Sequence, residues 1–351
     1  MSIDEKYMWR CLQLARKGLG TTKNNPLVGC VIVHNDRIIG EGYHRKIGEA
    51  HAEVNAINSV SDSSLLKDAT IYVSLEPCSH YGKTPPCAEL IAGKKIPRVV
   101  IAVTDPNNKV AGRGIQMLKD AGATVIVGVL EEEAKQINLP FFVNQIEKRP
   151  YVILKWAQTK DGFIDNERES SDLPPLLLSN SITQSIVHKI RSYNMGIMVG
   201  TNTALKDNPT LSTRKWYGDN PVRIVIDRKG KLPKESNLFN NNAPTIVFTE
   251  LNSYPTIENV TCIVINFCED VIEQILTKIF EYNIATVMIE GGNILISSFV
   301  KSNVWDEAFI EVADIKIGRG IRAPIVRGTL INAKKYIESL HYHIKNEITR
   351  N

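Results

Sequence analysis

His51, Glu53, Cys78 and Cys87 could do chemistry by type and spacing alone. One imidazole and two thiolates can hold a single Zn²⁺ and leave the fourth tetrahedral position to water, which is how a catalytic zinc site is built. A carboxylate two residues after the histidine, Glu53, is placed to move protons without being a ligand. Eight residues separate the two cysteines, among them His80, Lys83, Pro85 and Pro86. A basic loop tied to a metal at both ends can reach an anionic substrate group. The plainer alternative is a solvated loop stiffened by prolines. Free cysteines also serve as small core hydrophobes, so the case for zinc needs the elements that carry these residues.

Hydrophobic patterning supplies them. A helix is expected over 52–60, directly behind His51, and an apolar strand over 70–75 runs into Glu76-Pro77 and delivers Cys78. A further helix follows Cys87. Around this core lie a helix at 4–17, strands at 28–34 and 37–43 joined by an Asn35-Asp36 hairpin turn, a strand at 98–103, a helix at 115–121, a strand at 124–129 and a helix at 131–137. This is a three-layer α/β domain with a mixed sheet. Residues 140–150 read as a junction, with the break at Lys148-Arg149-Pro150. Beyond it, strands are expected at 151–155, 195–199, 222–227, 245–249, 260–265, 286–290 and 305–312, and helices at 181–192, 270–282 and 293–301. We expect two domains, 1–146 and 150–351. The order His-x-Glu, then Pro-Cys and a later Cys, is that of nucleobase deaminases, although their common form has two residues between the cysteines rather than eight.

Composition excludes several classes. The 351 residues are 43% hydrophobic and 23% charged, enough for two cores. A net charge of +4 over this length is too small to argue for a nucleic-acid partner. No run approaches the roughly 18–20 apolar residues of a membrane span. Residues 1–18 read as an amphipathic helix rather than a secretory signal. Cys11, Cys30, Cys262 and Cys268 form no disulfide-like framework, so a reducing, cytoplasmic location is expected.

Four stretches of the first half are more specific: Asn25-Pro26-Leu27-Val28-Gly29, Gly48 to Glu53, the Pro77–Cys87 loop, and Thr104-Asp105-Pro106-Asn107 onward to Gly114. Together they resemble the bifunctional riboflavin-biosynthesis deaminase–reductase family, and the resemblance runs over essentially the whole chain. It implies a cytidine-deaminase-like first domain. A zinc-activated hydroxide there replaces the 2-amino group of a diaminopyrimidinone ribosylamino 5′-phosphate. His51, Cys78 and Cys87 would be the ligands, Glu53 the proton shuttle, and Asn25, His44, His80, Lys83 and Asn107 the pocket. Asn107 could equally cap a turn after Pro106. The second domain would be dihydrofolate-reductase-like and use NADPH to reduce the opened ribosyl unit to a ribityl chain. Lys155 to Gly162, Val199 to Leu211, 221–228 and Glu290-Gly291-Gly292 are similar to its motifs. The resemblance puts Arg191, Leu211, Arg214 and Glu290 on the substrate, with the arginines suited to its phosphate. It puts Ala157, Thr203, Asp207, Arg228, Gly291 and Gly292 on the cofactor. A solvated surface charge is the alternative for each arginine. No Gly-x-Gly-x-x-Gly fingerprint follows a strand, so a Rossmann domain is not indicated. The resemblance also implies a homo-oligomer through the reductase domains.

Two stretches depart from the family, and one of them is Ala157-Gln158-Thr159-Lys160, where Ala-Ser-Leu is usual. Where a serine and a tryptophan usually precede the Arg191 helix, this chain has Pro175 and Leu177, with Ser170 or Ser171 as substitutes if the loop shifts. Two rival readings follow: a nucleic-acid deaminase of the tRNA type with an accessory domain, and a deaminase whose second half is an inactive reductase-like scaffold.

Overall fold

The structure is a computed structural model that describes residues 1–81, 85–107, 111–168 and 173–347. It divides into two compact units, Met1–Lys148 and Arg149–Asn351. Among the described residues no helix is long and apolar enough to cross a membrane.

The first unit contains α1 (Ile3–Ala15), β1 (Gly29–His34), β2 (Arg37–Tyr43), α2 (Ala52–Asn58), β3 (Thr70–Val73), α3 (Cys87–Gly93), β4 (Arg98–Ile101), α4 (Arg113–Asp120), β5 (Thr124–Val127), α5 (Glu131–Ile137) and α6 (Leu139–Glu147). Its sheet runs β2-β1-β3-β4-β5. The β2-β1-β3 part is antiparallel and the β3-β4-β5 part parallel, so the sheet is mixed as expected. Asn35 and Asp36 both have positive φ, 48° and 58°, the backbone a two-residue I′ hairpin turn needs.

The alternation of strand side chains makes the three layers. Cys30, Ile32, Ile71, Val73, Val99 and Ile101 pack with Ala52, Ala56, Ala88, Ile91 and Leu118 from α2, α3 and α4. The intervening Val31, Val33, Tyr72 and Val100 pack on the other face with Tyr7, Met8, Cys11 and Leu12 of α1 and Ala134 of α5. The expected junction at 140–150 is instead mostly α6, which begins with Pro140 in its first turn and ends at Lys148, where φ is +55°. Its Phe141 and Phe142 cover the α1 face of the sheet, and that tertiary burial is what makes the segment a helix rather than a linker.

The second unit contains β6 (Tyr151–Thr159), β7 (Phe163–Asp165), α7 (Ser181–Tyr193), β8 (Gly196–Val199), α8 (Thr201–Asp207), β9 (Val222–Ile226), β10 (Thr245–Thr249), β11 (Val260–Val264), α9 (Val271–Glu281), β12 (Thr286–Glu290), α10 (Asn293–Lys301), β13 (Glu307–Ala313), β14 (Ile321–Arg322), β15 (Thr329–Tyr336) and β16 (Ser339–Lys345). Nine strands form one sheet, ordered β11-β10-β9-β8-β12-β6-β13-β16-β15. The strands from β11 to β13 are parallel, and β16 and β15 add an antiparallel edge. The sequence reading assigns no strand to that edge. Seven of the eight residues of β15 are exposed, so no apolar alternation marks it.

The chain leaves β6 for β8, builds outward to β11, then returns to insert β12 between β8 and β6. The reversal puts a crevice at the carboxyl ends of β6, β8 and β12, where ligands of open α/β sheets bind.

Glu311 on β13 is nearly fully buried, and its Oε2 accepts from Ser179 Oγ at 2.5 Å. Burial alone would raise its carboxyl, but the Ser179 hydrogen bond, the His341 imidazole 3.8 Å from Oε1 and the nearby Thr183 hydroxyl together outweigh that and bring it down to about 2 from the ordinary 4.5. A depressed carboxylate stabilises the fold fully above its unfolded value, and the contribution is lost as pH falls toward the folded one. Thermal unfolding of the wild type should therefore drop more steeply than that of Glu311→Gln between about pH 5 and 3. Parallel curves would refute the assignment.

Candidate active sites

The first site sits at the ends of two elements. His51 is the N-cap residue of α2, with extended backbone (φ −70°, ψ 166°), so its side chain projects from the helix start. Cys78 follows β3, and Cys87 opens α3. His51 Nδ1 lies 3.6 Å from Cys78 Sγ and 3.4 Å from Cys87 Sγ. The three ligand atoms all lie within 4.8 Å of one another, and among the described residues this is the one such His/Cys/Asp/Glu group. A single imidazole nitrogen and two sulfurs with no fourth protein ligand match the donor set and the open position of catalytic zinc. Of the two thiols, Cys78 ionises first. Hydrogen bonding from Cys87 brings it down to about 4 against the opposing effect of burial, and His51 adds to the shift. Cys87 is pushed up by Cys78 and by its own burial.

Glu53, 3% exposed, stands in the first turn of α2, two residues from His51. Burial pushes its carboxyl up to about 7, and the Cys78 thiolate adds to that. A carboxyl poised near neutrality can both take and give a proton, as general acid–base work requires.

His44 packs edge-on against His51, with ring centroids 5.5 Å apart. Its Nδ1 lies 3.2 Å from the Ala50 carbonyl and its Nε2 3.1 Å from Asn25 Nδ2. An amide NH₂ only donates, so Nε2 accepts and Nδ1 carries the hydrogen. Burial lowers its pKa, so His44 is a neutral orienting group rather than a phosphate-binding cation. His80 is exposed on the loop after Cys78. The Asn107 backbone N–H donates to Asp105 Oδ1 at 2.8 Å, so it is the Asp105 side chain that caps the turn through Pro106. Lys83, like Ser170 and Ser171, lies outside the described residues.

Sequence reasoning missed Glu76. It is 3% exposed and its carboxylate accepts from four backbone N–H groups: Asp105 (3.2 Å), Gly112 (3.0 Å), Gly114 (3.0 Å) and Ile115 (3.3 Å). It ties the loop holding Asn107 to the strand end holding Cys78. Gly114 is required there, because a Cβ would meet the Pro77 carbonyl oxygen at 2.1 Å. The available signal was a lone carboxylate ending an apolar strand directly before Pro77-Cys78. Glu76→Ala leaves four donors without an acceptor. It should cost at least about 2 kcal/mol and raise the KM of deamination with zinc retained. Unfolding by denaturant and initial rates check both, and an unchanged KM would separate the loop from the site.

The second site is a cleft of about 1000 Å³ at the carboxyl ends of β6, β8 and β12. That is at the upper end for small-molecule sites. Ala157, Arg191, Thr203, Asp207, Arg214, Glu290, Gly291 and Gly292 all line it, as do Pro175 and Leu177 of the departing stretch. Thr203 Oγ1 accepts from the Gly292 N–H at 2.9 Å. Gly291 has φ +125°, and a Cβ there would crowd Thr203 Oγ1 at 3.1 Å. No side chain caps α10, whose N-terminus opens into the cleft.

Three expectations change. Arg191 reaches the cleft already engaged, with Nε and Nη2 on Glu290 at 2.8 and 2.7 Å and Nη1 on the Ser212 carbonyl at 3.1 Å. It cannot also grip a phosphate with its full fork, because the carboxylate holds that edge. Leu211, 3% exposed, turns its side chain into the core with Ile197, Val199 and Val225 rather than into the cleft. Arg228 does not line the cleft either. Its Nε donates to Glu250 at 2.6 Å and its guanidinium lies over Phe267.

Two cleft residues escaped the sequence reading. Lys155 lies on β6 directly beside Glu290 on β12. Burial lowers its pKa while Glu290 and Glu311 oppose that. One lysine inside an otherwise apolar strand was the available signal. Arg168, 8% exposed, bridges Asp165 and Asp207 and donates to the Leu173 carbonyl, fixing Asp207 at the cleft wall.

Comparison with known proteins returns two family models. Residues 1–103 match the cytidine and deoxycytidylate deaminase zinc-binding region, and residues 150–349 match the RibD C-terminal domain. The riboflavin biosynthesis protein RibD of Aquifex aeolicus is 38% identical over 91% of this chain and 89% of its own. That of Bacillus amyloliquefaciens is 38% identical over 97% and 92%. A crystal structure of a diaminohydroxyphosphoribosylaminopyrimidine deaminase/5-amino-6-(5-phosphoribosylamino)uracil reductase from Thermotoga maritima superposes with a TM-score of 0.88 at 36% identity, covering 98% of this chain and 99% of the other. RibD of Acinetobacter baumannii gives a TM-score of 0.87 at 32% identity, with 98% of each chain covered.

Proposed function

The chain belongs to the RibD family of riboflavin-biosynthesis deaminase–reductases, and on that premise we propose how its own residues divide the two reactions. The protein is a bifunctional enzyme. Its cytidine-deaminase-like half is a zinc-dependent hydrolase, its dihydrofolate-reductase-like half uses NADPH, and its substrate is a small phosphorylated pyrimidine. We assign deamination to residues 1–146 and reduction to 150–351.

In the first half His51, Cys78 and Cys87 would hold the zinc, which when bound supplies a Lewis acid that makes water nucleophilic near neutral pH. Glu53 takes one proton from the attacking water and gives it to the ring nitrogen, then carries the second, from the added hydroxyl, to the amino group as it leaves as ammonia. The neutral pair Asn25 and His44 lines the pocket beside His51. His80, Lys83 and Asn107 contact the rest of the substrate. The observation that carries this reading is the mutual approach of three ligand atoms beside a buried carboxylate on the same helix.

In the second half NADPH supplies the hydride. Thr203, Asp207, Gly291, Gly292 and Ala157 bind the cofactor side, and the uncapped α10 N-terminus suits its phosphates. Reduction of a carbonyl leaves negative charge on oxygen. The Lys155 ammonium at the cleft floor, balanced by Glu290, stabilises that oxygen and can protonate it. Glu290 and Arg214 complete the substrate side.

We further propose a homo-oligomer formed through the second unit. Among the described residues the β15 edge is unpaired, and Leu330, Ile331, Ile337 and Leu340 are exposed along the β15–β16 hairpin. A cytoplasmic location suits six unpaired cysteines.

Product mass tests the whole assignment. Zinc-loaded enzyme with the diaminopyrimidinone ribosylamino phosphate should exchange amino for oxygen without NADPH and gain two hydrogens only with it. Deamination without reduction would mean an inert second half, and neither reaction would remove the substrate assignment.

A further inference from the structure

His188 is not accounted for by the roles assigned so far. It lies on α7, one turn before Arg191, and lines the cleft. It is 4% exposed, and its Nδ1 is buried with no hydrogen-bond partner among the described residues. A buried polar atom without a partner is uncommon and calls for an explanation. When it faces a ligand cleft, the simplest explanation is a partner that arrives with the ligand.

The charges around it identify that ligand. Among the described groups that act most strongly on the imidazole, Arg191 from its own helix, and Arg214 and Lys215 from the segment after α8, are cations, and Glu290 from β12 is an anion. The Arg191 guanidinium is matched to Glu290 by two hydrogen bonds. Lys215 is hydrogen-bonded to Gln184. Among the described residues Arg214 bonds neutral hydroxyls, with Nη1 at 2.9 Å from Thr210 Oγ1 and 3.4 Å from Ser212 Oγ. Of the described groups that act most strongly on the imidazole, three are cations and one is an anion, so the field there is positive.

Resting on the reductase reading above, we propose that His188 is a substrate-binding residue that donates a hydrogen bond to the 5′-phosphate beside Arg214. It takes the place expected for Arg191, which is committed to Glu290. Burial and the neighbouring cations hold the free imidazole neutral, down to about 4. A phosphate dianion offsets those cations, so binding favours uptake of a proton by His188 and strengthens the contact.

The test compares full-length wild type, His188→Ala and His188→Gln. It measures KM for the deaminated ribosylamino substrate, for the same compound without its phosphate, and for NADPH. His188→Ala should raise KM for the phosphorylated substrate about tenfold or more. It should leave the dephosphorylated substrate and NADPH within about twofold. His188→Gln keeps an amide donor and should recover part of the loss. Equal weakening of both substrate forms, or of NADPH, would overturn the proposal in favour of a general structural role. No change in any KM would overturn it outright. If wild type shows no NADPH-dependent gain of two hydrogens, the reductase reading itself falls and the proposal with it, an outcome plainly different from an unaffected His188→Ala.

Discussion

Replacing Glu53 by glutamine should abolish deamination and leave zinc binding and reduction intact. Glutamine has nearly the same shape, so the start of α2 keeps its packing and His51 its projection toward Cys78 and Cys87. What is lost is a group that can accept and return a proton. Such a group contributes about 10²–10⁴-fold to a rate. Because Glu53 is the buried carboxyl beside the three ligand atoms and is pushed up to about 7, the upper part of that range is expected. Zinc content per chain, the amino-to-oxygen mass change, and NADPH oxidation with deaminated substrate are the three readouts. Deamination at the wild-type rate would end the assignment of Glu53. Loss of zinc together with activity would make Glu53 a structural support of the metal instead. The same experiment separates the enzyme from a zinc-stabilised scaffold, in which the substitution would be silent.

Glu290→Gln should suppress reduction by roughly tenfold or more while sparing deamination. Glu290 carries the negative charge that two buried cations share. Arg191 holds it with two hydrogen bonds, and Lys155 sits beside it in the sheet. Burial pushes the Glu290 carboxyl up, but the charge and hydrogen bonds of Arg191 and the charge of Lys155 act together with the other nearby groups to bring it below its ordinary range. Glutamine leaves Arg191 and Lys155 without their shared counter-charge. Lys155 then has a lower pKa and is less often charged when the alkoxide develops. Breaking one partner of a buried ion pair commonly costs about 3–5 kcal/mol, so the second unit should also melt at a lower temperature. NADPH consumption, product mass and calorimetry distinguish the two effects. Full reductase activity in the variant would show that the charge balance plays no part in turnover.

Much of the architecture was legible from local pattern. The strands over 245–249 and 286–290, and the helices over 131–137 and 293–301, appear with the bounds expected for them: the strands are short continuous apolar runs, and the helix starts are marked by three glutamates in one case and by Gly291-Gly292 in the other. The elements that escaped notice lack such signals. The helix α6 looked like a linker, since its Phe141 and Phe142 make sense only against the sheet they cover. The strand β15 is almost wholly exposed and carries no buried face to reveal it.

The residue types and spacing of His51, Glu53, Cys78 and Cys87 were sufficient to identify zinc chemistry, because metal ligation and proton transfer depend on a few functional groups placed at the ends of regular elements. Pairing decided the rest. Arg191 reads in the chain as a free cation and is in the fold half of an ion pair with Glu290, a residue 99 positions away. Leu211 reads as a contact and packs as core. Glu76 gathers four backbone donors from a loop that begins 29 residues later. Such assignments depend on which groups meet across the sheet and which are left without a partner when it closes. Long-range packing sets both, and local sequence records neither.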